Sequence, residues 1–375
     1  MISLPNYNLN RLFRLKGEIY TEPDLVTCLN KLELNEFDLI LTNTFLNDSI
    51  KKAKFIEKSK IINVDQFGTG EPREDWVNEI LKISNAFPYR RVIAIGGGAT
   101  IDISKLCVFG DGRSAEQLFN DKQILEKRRE LIALPTTCGT GSEVTSVAVV
   151  EFLSLNSKLG LQIDELFPDK AVLIGELLST LSYKTFALTS IDALAHAVES
   201  LLSPKANAYT DMYARSAIEG IVEKLKEVRG KQILPKSMEQ SLIFANMAGV
   251  AFSIAGCATM HALSFPLGSN YHLAHGEAVY AVFASTLEYY RKKNISISKL
   301  EKVLSPLFEE DGVKGLLDLL SDIYKCPDFK ALGINDEICE KMATSVYQNQ
   351  QRLLVNSPKQ LNSDDLSNIY KNCIK

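Results

Sequence analysis

Short apolar runs alternate with longer amphipathic segments through the first half of the chain, a pattern typical of a parallel β-sheet covered by helices. Each run is too short for a buried helix and is bounded by Gly, Pro or polar residues. Strands are predicted at residues 37–42, 61–64, 92–95, 131–134 and 171–174. Trp76, Ile80 and Ile83 recur at helical spacing between the second and third strands, so we expect a crossover helix there.

The pattern changes near Ser182, where the strand pattern ends and long helical segments begin. Helices are predicted at residues 191–202, 209–228, 238–252 and 278–290. Prolines fall where helices would start or stop, and Pro266 with Gly268 is expected to break one helix and turn the chain. We therefore predict an α/β domain over residues 1–181 and an all-helical domain over residues 182–375.

The bulk composition is that of a globular protein with two domains. The chain has 375 residues, of which 46% are hydrophobic and 23% charged, and single cores rarely grow beyond roughly 250–300 residues. A net charge of −4 gives no basic footprint for nucleic acid or anionic lipid. Residues 1–6 carry no targeting pattern, and no apolar run approaches the roughly 18 residues of a membrane span. We expect a cytoplasmic protein with neither nucleic acid nor membrane as partner.

Cysteine and histidine are distributed very differently. The seven cysteines are scattered and never spaced as Cys-x-x-Cys, so neither a disulfide framework nor a thiolate zinc site is indicated. Only four histidines occur, and His261, His272 and His275 lie within fifteen residues of one another. This clustering indicates histidines of a functional site rather than histidines buried for packing.

One glycine-rich segment follows a predicted strand. Gly96, Gly97 and Gly98 come directly after residues 92–95, and Thr100 and Asp102 open the helix that follows. Glycines at such a turn let backbone amides approach a diphosphate, whose charge the helix N-terminus favours. The segment is not G-x-G-x-x-G, and a plain strand-to-helix turn is the alternative interpretation.

A second small-residue segment, Pro135-Thr-Thr-Cys-Gly-Thr-Gly-Ser-Glu-Val-Thr145, follows the next strand. The segment has more hydroxyl side chains than the single one that capping a helix requires. Thr136, Thr137 and Thr140 are among them. The first predicted strand ends at Asn43, where dinucleotide sites often place an acid on the adenosine ribose. An amide can bond a 2′-hydroxyl but lacks the charge that repels a 2′-phosphate. NAD is therefore the expected cofactor only by a small margin, with NADP as the alternative.

Four residues suggest a metal site. Asp192 and His196 are four residues apart in a strongly helical stretch and so project from one face. The turn expected after His261 can bring His275 back beside it. Three imidazoles and one carboxylate suit zinc or ferrous iron better than magnesium or calcium. His272 has two interpretations, a proton relay or a hydrogen-bonding neighbour of the ligands.

These segments, in this order, resemble the iron-containing (group III) alcohol dehydrogenases. The resemblance rests on Gly96 to Asp102, on the segment 135–145, on Asp192-x₃-His196 and on the run from His261 to Gly276. It implies a Rossmann-like dinucleotide domain followed by a helical metal and substrate domain. The segments 67–72, 203–212 and 350–356 are similar to those of the 4-hydroxybutyrate dehydrogenases within that family.

The resemblance also implies residue roles. It implies one divalent metal, Fe²⁺ or Zn²⁺, on Asp192, His196, His261 and His275, and diphosphate contact by Gly97 and Gly98. Further cofactor contacts are implied for Asp102, Thr136, Thr137 and Lys158. His272 is the candidate catalytic residue, as carrier of the proton.

The expected reaction is hydride transfer between a nicotinamide cofactor and a short alcohol or aldehyde, with 4-hydroxybutyrate and succinic semialdehyde favoured. A substrate carboxylate needs a cation, for which Arg352 and Lys205 are candidates; solvated helix charges are the alternative. Rival substrates are phosphonoacetaldehyde, lactaldehyde and simple alkanals. Rival classes are a lyase of dehydroquinate synthase type and a non-catalytic metabolite-binding protein. The assembly is left open, a homodimer or larger homo-oligomer being the expectation.

Overall fold

The first half of the chain forms a parallel sheet. The structure, a computed structural model, describes residues 11–155 and 157–374; the segment 1–6, in which we expect no targeting pattern, lies outside the described residues. The described residues form eight strands: β1 Glu18–Thr21, β2 Asp38–Thr42, β3 Lys60–Asn63, β4 Arg91–Gly96, β5 Glu130–Pro135, β6 Val147–Phe152, β7 Ser157–Gln162 and β8 Lys170–Leu173. Six of them form the sheet in the order β1-β8-β5-β4-β2-β3, and every neighbouring pair is parallel.

All five predicted strands are confirmed, and three further strands were missed. β1 forms the edge of the sheet, and because it is exposed throughout it lacks the apolar run of a buried strand. β6 and β7 form a separate antiparallel pair, with Val147 opposite Gln162. Alternate residues of β6 are buried, which is the period-two pattern of a half-buried strand.

Helices cover the sheet in the first half of the chain, and the described residues of the second half form helices joined by turns and loops, with no β-strand. The helices are α1 Leu25–Lys31, α2 Asn47–Ile50, α3 Glu74–Asn85, α4 Gly98–Cys107, α5 Ala115–Asn120, α6 Tyr183–Leu202, α7 Ala208–Val228, α8 Met238–Ala255, α9 Thr259–Tyr271, α10 His275–Lys292, α11 Ser298–Leu304, α12 Gly312–Ile323, α13 Asp336–Asn349, α14 Gln351–Leu354 and α15 Ser363–Cys373. The four predicted helices and the crossover helix α3 are confirmed, most of them with longer ends.

The expected helix break at Pro266 and Gly268 is wrong. α9 continues through Pro266 and ends at Tyr271, where His272 adopts a left-handed backbone with a φ of 55°. A proline removes one backbone donor, but buried helices tolerate it when packing supplies the stability. The chain does turn before His275, as predicted, only four residues later than expected.

The two halves share one hydrophobic core. Ile40, Ile93 and Ile132 of the sheet belong to the same buried cluster as Phe186 and Ile218 of the helical half. The other face of the sheet packs on α3 and α4 in a second cluster. The boundary proposed after residue 181 falls just before α6, but the packing is continuous across it.

The helices were also compared with the length and apolarity that a membrane span requires. No single helix among the described residues meets both requirements. α8 and α9 together meet them, but they are bent by 104° at their junction.

Candidate active site

Helix α6 presents three titratable side chains on one buried face. Asp192, His196 and Glu199 follow the spacing i, i+4, i+7, which places them in line along a helix. All three are buried. The helix is long and begins at Ser182, whose hydroxyl accepts a hydrogen bond from the Thr185 amide. α6 is thus a fixed support for a polar cluster.

Glu199 orients the next histidine and caps its helix. Its carboxylate accepts hydrogen bonds from the backbone amides of Ala258 at 2.8 Å and Met260 at 2.5 Å, at the start of α9. It also lies 2.7 Å from Nδ1 of His261. A carboxylate there satisfies amides that a helix N-terminus leaves free. Because Nδ1 faces Glu199, Nε2 of His261 is left to face the cluster.

The start of α10 supplies the fourth residue. Nε2 of His275 lies 3.5 Å from Oδ1 of Asp192, and Nε2 of His261 lies 3.4 Å from the same oxygen. Gly276 allows this placement, because a Cβ there would lie 2.4 Å from the carbonyl oxygen of Leu188 on α6. His196 stacks on His261 with ring centroids 4.3 Å apart, and its Nδ1 is 4.0 Å from Oδ2 of Asp192. The structure therefore brings all four predicted ligands together.

Burial sets the charge states of the cluster. Burial lowers the pKa of His196 to about 3, and neighbouring His261 and His275 act in the same direction. For His261 burial also lowers the pKa, but the Glu199 and Asp192 carboxylates together outweigh burial and raise the pKa to about 9. Asp192 is buried, which favours the neutral acid, yet the histidines around it hold its pKa well below the usual range. The cluster is a carboxylate held among imidazoles.

Unpartnered atoms test whether this cluster fits a metal ion. Oδ1 of Asp192, Nδ1 of His196 and Nε2 of His261 are buried and have no hydrogen-bond partner. Donor atoms of Asp192, His261 and His275 lie within 4.8 Å of one another. Buried polar atoms rarely stay unpaired, and an N/O donor set of this kind suits zinc or ferrous iron. The residues fit a divalent metal.

A charged pair borders His275. Oε1 of Glu71 lies 3.4 Å from Nδ1 of His275, and Oε2 lies 2.5 Å from Nζ of Lys158 on β7. Although burial favours the neutral acid, the hydrogen bond to His275 and the charge of Lys158 lower the pKa of Glu71 to about 2. Lys158, predicted as a cofactor contact, is thus placed beside the metal cluster.

The predicted glycines and threonines meet at the ends of β4 and β5. Gly97 is the N-cap of α4 and provides no side-chain cap, so the first amides of α4 remain open. A Cβ on Gly97 would lie 3.5 Å from Thr137, whereas one on Gly98 would lie 2.7 Å from Thr140. The Thr136 amide donates to the carbonyl of Gly96 at 3.0 Å. This bare helix N-terminus fits a diphosphate.

Asp102 is held by protein groups below this turn. Its carboxylate accepts from Ser142 Oγ at 2.9 Å and from the Val149 amide at 3.0 Å. Lys105, fully buried, lies 3.3 Å from Asp102 and donates to the carbonyl of Val147 at 2.6 Å. The contact of Asp102 with a cofactor stays a prediction; its visible role is to tie α4 to the 139–149 segment.

Asn43 lies at the end of β2, where the sequence placed it. Its Oδ1 accepts a hydrogen bond from Oγ1 of Thr100 at 3.2 Å. Its side chain therefore lies against the first turn of α4. A ribose contact by Asn43 stays a prediction.

The loop after β5 joins the two regions. A Cβ on Gly139 would lie 2.9 Å from Thr189 of α6, and one on Gly141 would lie 2.5 Å from Gly249 of α8. Phe252 of α8 stacks on His196, with ring centroids 4.2 Å apart. Since Thr137 and Gly141 are four residues apart, the loop spans at most about 14 Å between the bare helix N-terminus and the side of α8 that carries Phe252.

Arg352 and His272 lie at the margin. The guanidinium of Arg352 would be 3.2 Å from a Cβ on Gly160, and it lies 6.0 Å from the ring centroid of Phe265. Lys158 lies 5.8 Å from the same ring. His272 is exposed at the end of α9. Lys205, the other candidate cation, is exposed after α6.

Three residues of the cluster were missed from the sequence. Glu199 follows His196 by three residues on α6, and helical spacing could have found it. Glu71 stands in the quoted segment 67–72 but was given no role. Cys257 lies with His196 and His261, donor atoms within 4.8 Å, and no sequence spacing indicated it.

Comparison with known proteins agrees with this geometry. The family model for iron-containing alcohol dehydrogenase matches residues 24–174, and the model for the C-terminal part of the same family matches residues 186–374. The chain belongs to the iron-containing alcohol dehydrogenase family and is an oxidoreductase of that type.

Two curated relatives and one solved structure show how far the similarity extends. The chain is 37% identical over 368 residues to 4-hydroxybutyrate dehydrogenase of Clostridium kluyveri, covering 96% of this chain and 99% of that protein. It is 33% identical to long-chain-alcohol dehydrogenase 1 of Geobacillus thermodenitrificans, covering 75% and 74%. Sulfoacetaldehyde reductase from Bifidobacterium kashiwanohense, solved in complex with NAD⁺, has the same fold, with a TM-score of 0.82, 23% identity and coverage of 96% and 98%.

Proposed function

We propose that the chain is an NAD-dependent alcohol/aldehyde dehydrogenase that interconverts 4-hydroxybutyrate and succinic semialdehyde. The observation that carries the proposal is the position of the loop 137–141, which contacts the bare N-terminus of α4 and also Phe252 of α8, the ring that stacks on His196 of the metal cluster. A dinucleotide whose diphosphate lies at α4 would extend its other end along this loop. Family membership favours this oxidoreductase over the lyase and the non-catalytic alternatives.

The proposed cofactors are one divalent metal and NAD. Asp192, His196, His261 and His275 would hold the metal, which when bound supplies Lewis-acid polarisation of the substrate oxygen. Gly96, Gly97, Gly98, Thr136, Thr137 and Thr140 would hold NAD, which when bound supplies or accepts hydride. The sulfoacetaldehyde reductase of the same fold was solved with NAD⁺, and the choice between NAD and NADP is decided by an assay with NADH and NADPH.

The protein residues orient and support the reacting groups. Glu199 keeps Nε2 of His261 directed into the cluster, and Glu71 holds Nδ1 of His275. Phe252 covers His196 on the side of α8 and keeps water from that ring. His272, exposed in the turn before α10, would exchange the proton with solvent.

A carboxylate on the substrate would be recognised by Arg352. Two cations flank Phe265, but Lys158 is already paired with Glu71. Arg352 is exposed, and the structure shows no carboxylate within 4.0 Å of it among the described residues. An unpaired guanidinium can bind a carboxylate through two hydrogen bonds. The similarity to 4-hydroxybutyrate dehydrogenase supports a four-carbon substrate with a carboxylate at one end.

A substrate panel tests the reaction. Metal-free protein would be reconstituted anaerobically with Fe²⁺ or Zn²⁺ and assayed for oxidation of NADH and NADPH with short aldehydes. The expected result is the highest kcat/KM with succinic semialdehyde and NADH. A preference for phosphonoacetaldehyde, lactaldehyde or an alkanal would replace the substrate, whereas no turnover with any aldehyde would overturn the dehydrogenase proposal.

Arg352→Met tests the carboxylate contact separately. The KM for succinic semialdehyde should rise by about 10-fold to 100-fold, because a charged hydrogen bond contributes roughly 1.5–3 kcal/mol, while the KM for butanal should change little. Arg90→Met is the matched control, since Arg90 also lies over a ring, that of Phe37, but just before β4 and outside the cluster. Equal effects on both aldehydes would remove Arg352 from the substrate site.

A further inference from the structure

A cysteine lies inside the metal cluster. Cys257 stands between α8 and α9; the residue as a whole is partly exposed, but its side chain is buried with the two histidines. Its Sγ and one ring nitrogen each of His196 and His261 lie within 4.8 Å of one another, close enough to hold one ion. The two histidines are at least 95% buried, and Nδ1 of His196 and Nε2 of His261 have no hydrogen-bond partner. These are the nitrogens that also face the Asp192 position, so the thiol adds a sulfur donor beside ring nitrogens that have no partner within the protein.

This set differs in chemistry from the other triad of the cluster. Asp192, His261 and His275 offer one oxygen and two nitrogens, whereas His196, Cys257 and His261 offer two nitrogens and one sulfur. Thiolate sulfur selects soft or borderline ions such as zinc and cadmium, and carboxylate oxygen is the harder ligand. The sulfur-containing triad should therefore hold cadmium and zinc better than ferrous iron.

The two triads cannot be filled independently. Both need His261, and Nδ1 of that ring is taken by Glu199 at 2.7 Å. Only Nε2 remains, and one imidazole nitrogen binds one ion. An ion held by Cys257 therefore withdraws His261, and His196 with it, from an ion held by Asp192, His196, His261 and His275.

We propose that His196, Cys257 and His261 form a second metal position that takes cadmium or zinc through the Cys257 thiolate and excludes the ion held by Asp192 and His275. On binding, the thiol proton is released to solvent and a sulfur–metal bond forms. The assignment of these three ligands rests on geometry alone. Inhibition of dehydrogenase activity by cadmium or excess zinc would follow from it, and that consequence rests on the proposed function.

Cadmium absorption tests the ligand set. One equivalent of Cd²⁺ added to the metal-free full chain should produce the near-ultraviolet charge-transfer absorption of a cadmium–thiolate bond. Cys257→Ser should abolish this absorption, and Cys326→Ser, which alters an exposed thiol, should preserve it. No absorption in the unmodified protein, or persistence in the folded Cys257→Ser variant, would overturn the proposal. Cys257→Ala provides a second, independent removal of the sulfur.

The position of the ion is tested with His275→Ala. Because His275 is outside the sulfur-containing triad, this variant should keep the cadmium–thiolate absorption. Its loss would show that the thiolate joins the Asp192 and His275 ligands, and a separate position would be ruled out.

Displacement of iron tests the exclusion without an activity assay. Iron-loaded protein should release Fe²⁺ on addition of Cd²⁺, measured by a colorimetric chelator, and the Cys257→Ser variant should release much less. Equal release by both proteins would contradict exclusion through Cys257. If the protein showed no dehydrogenase turnover, the absorption and release measurements would still decide the metal position.

Discussion

Glu199 holds two backbone amides and one imidazole with a single carboxylate. We predict that Glu199→Gln lowers the affinity for Zn²⁺ or Fe²⁺ by about 10-fold to 100-fold, the usual effect of losing a group that orients a metal-ligating histidine. The reason is that the neutral amide no longer fixes Nε2 of His261 toward the cluster. Competition with a chromophoric chelator measures the change.

Glu223→Gln is the control for this change, because Glu223 is an exposed carboxylate on the neighbouring helix α7. An unchanged metal affinity in Glu199→Gln would show that Glu199 only accepts the backbone hydrogen bonds at the start of α9 and does not orient His261 for the metal.

Lys105 is the fully buried cation below the bare helix N-terminus. We predict that Lys105→Met destabilises the fold by about 3–5 kcal/mol, since removing the cation of a buried pair leaves the Asp102 carboxylate with no opposite charge beside it. Urea unfolding measures the change. Lys82→Met, on the exposed side of α3, is the control and should change stability by less than about 0.5 kcal/mol. A similarly small change at Lys105 would show that the hydrogen bonds from Ser142 and Val149 are enough to hold Asp102 without Lys105.

Histidine scarcity made the metal ligands predictable, whereas cysteine frequency concealed Cys257. With four histidines in 375 residues, three close together stand out. With seven scattered cysteines none stands out, and the sequence argued against thiolate ligation. Only the packing of the turn before α9 against α6 brings Cys257 to His196. Contacts between segments far apart in sequence carry no local pattern.

At the level of helices, Gly276 sets where α10 can begin. We predict that Gly276→Ala moves the start of α10 away from Leu188, because the added methyl would lie 2.4 Å from a backbone oxygen that cannot yield. His275 moves with it, so metal affinity should fall, and stability should drop by about 1–3 kcal/mol. Binding of NADH at α4 should be retained.

Gly97→Ala is the matched comparison. Its Cβ would meet only Thr137, at 3.5 Å, so the fold and metal affinity should persist while the methyl obstructs the diphosphate and weakens NADH binding. Fluorescence titration with NADH and chelator competition separate the two effects. If Gly276→Ala and Gly97→Ala both lost metal binding, or both lost NADH binding, the metal cluster and the N-terminus of α4 would not be separate binding regions.

Helix and strand existence followed from local pattern, but ends and breaks did not. The buried strands β2, β4 and β5 were found because both faces are covered and their runs are apolar. The edge strand β1 has no such run. Pro266 did not end α9, because the buried helix is stabilised by its neighbours rather than by propensity.

The hydrophobic cluster shared by sheet and helices makes the molecule one cooperative unit. We predict a single unfolding transition in metal-free protein, since neither half buries its apolar surface alone. Fluorescence of the single tryptophan, Trp76 on α3, reports on the sheet half, and far-ultraviolet circular dichroism is dominated by α6 to α15. The two denaturation curves should coincide. Separate midpoints would show that the halves unfold independently.

The shared cluster also has a consequence for synthesis of the chain. The sheet half is made first, and one of its faces, with Ile40, Ile93, Ile95, Ile132 and Leu134, is covered only in part, by α1 and α2, until the later helices arrive. A ribosome-bound intermediate of this kind exposes apolar surface that other chains can contact. Residues 1–181 expressed alone should therefore aggregate or depend on chaperones, even though they hold every strand of the sheet.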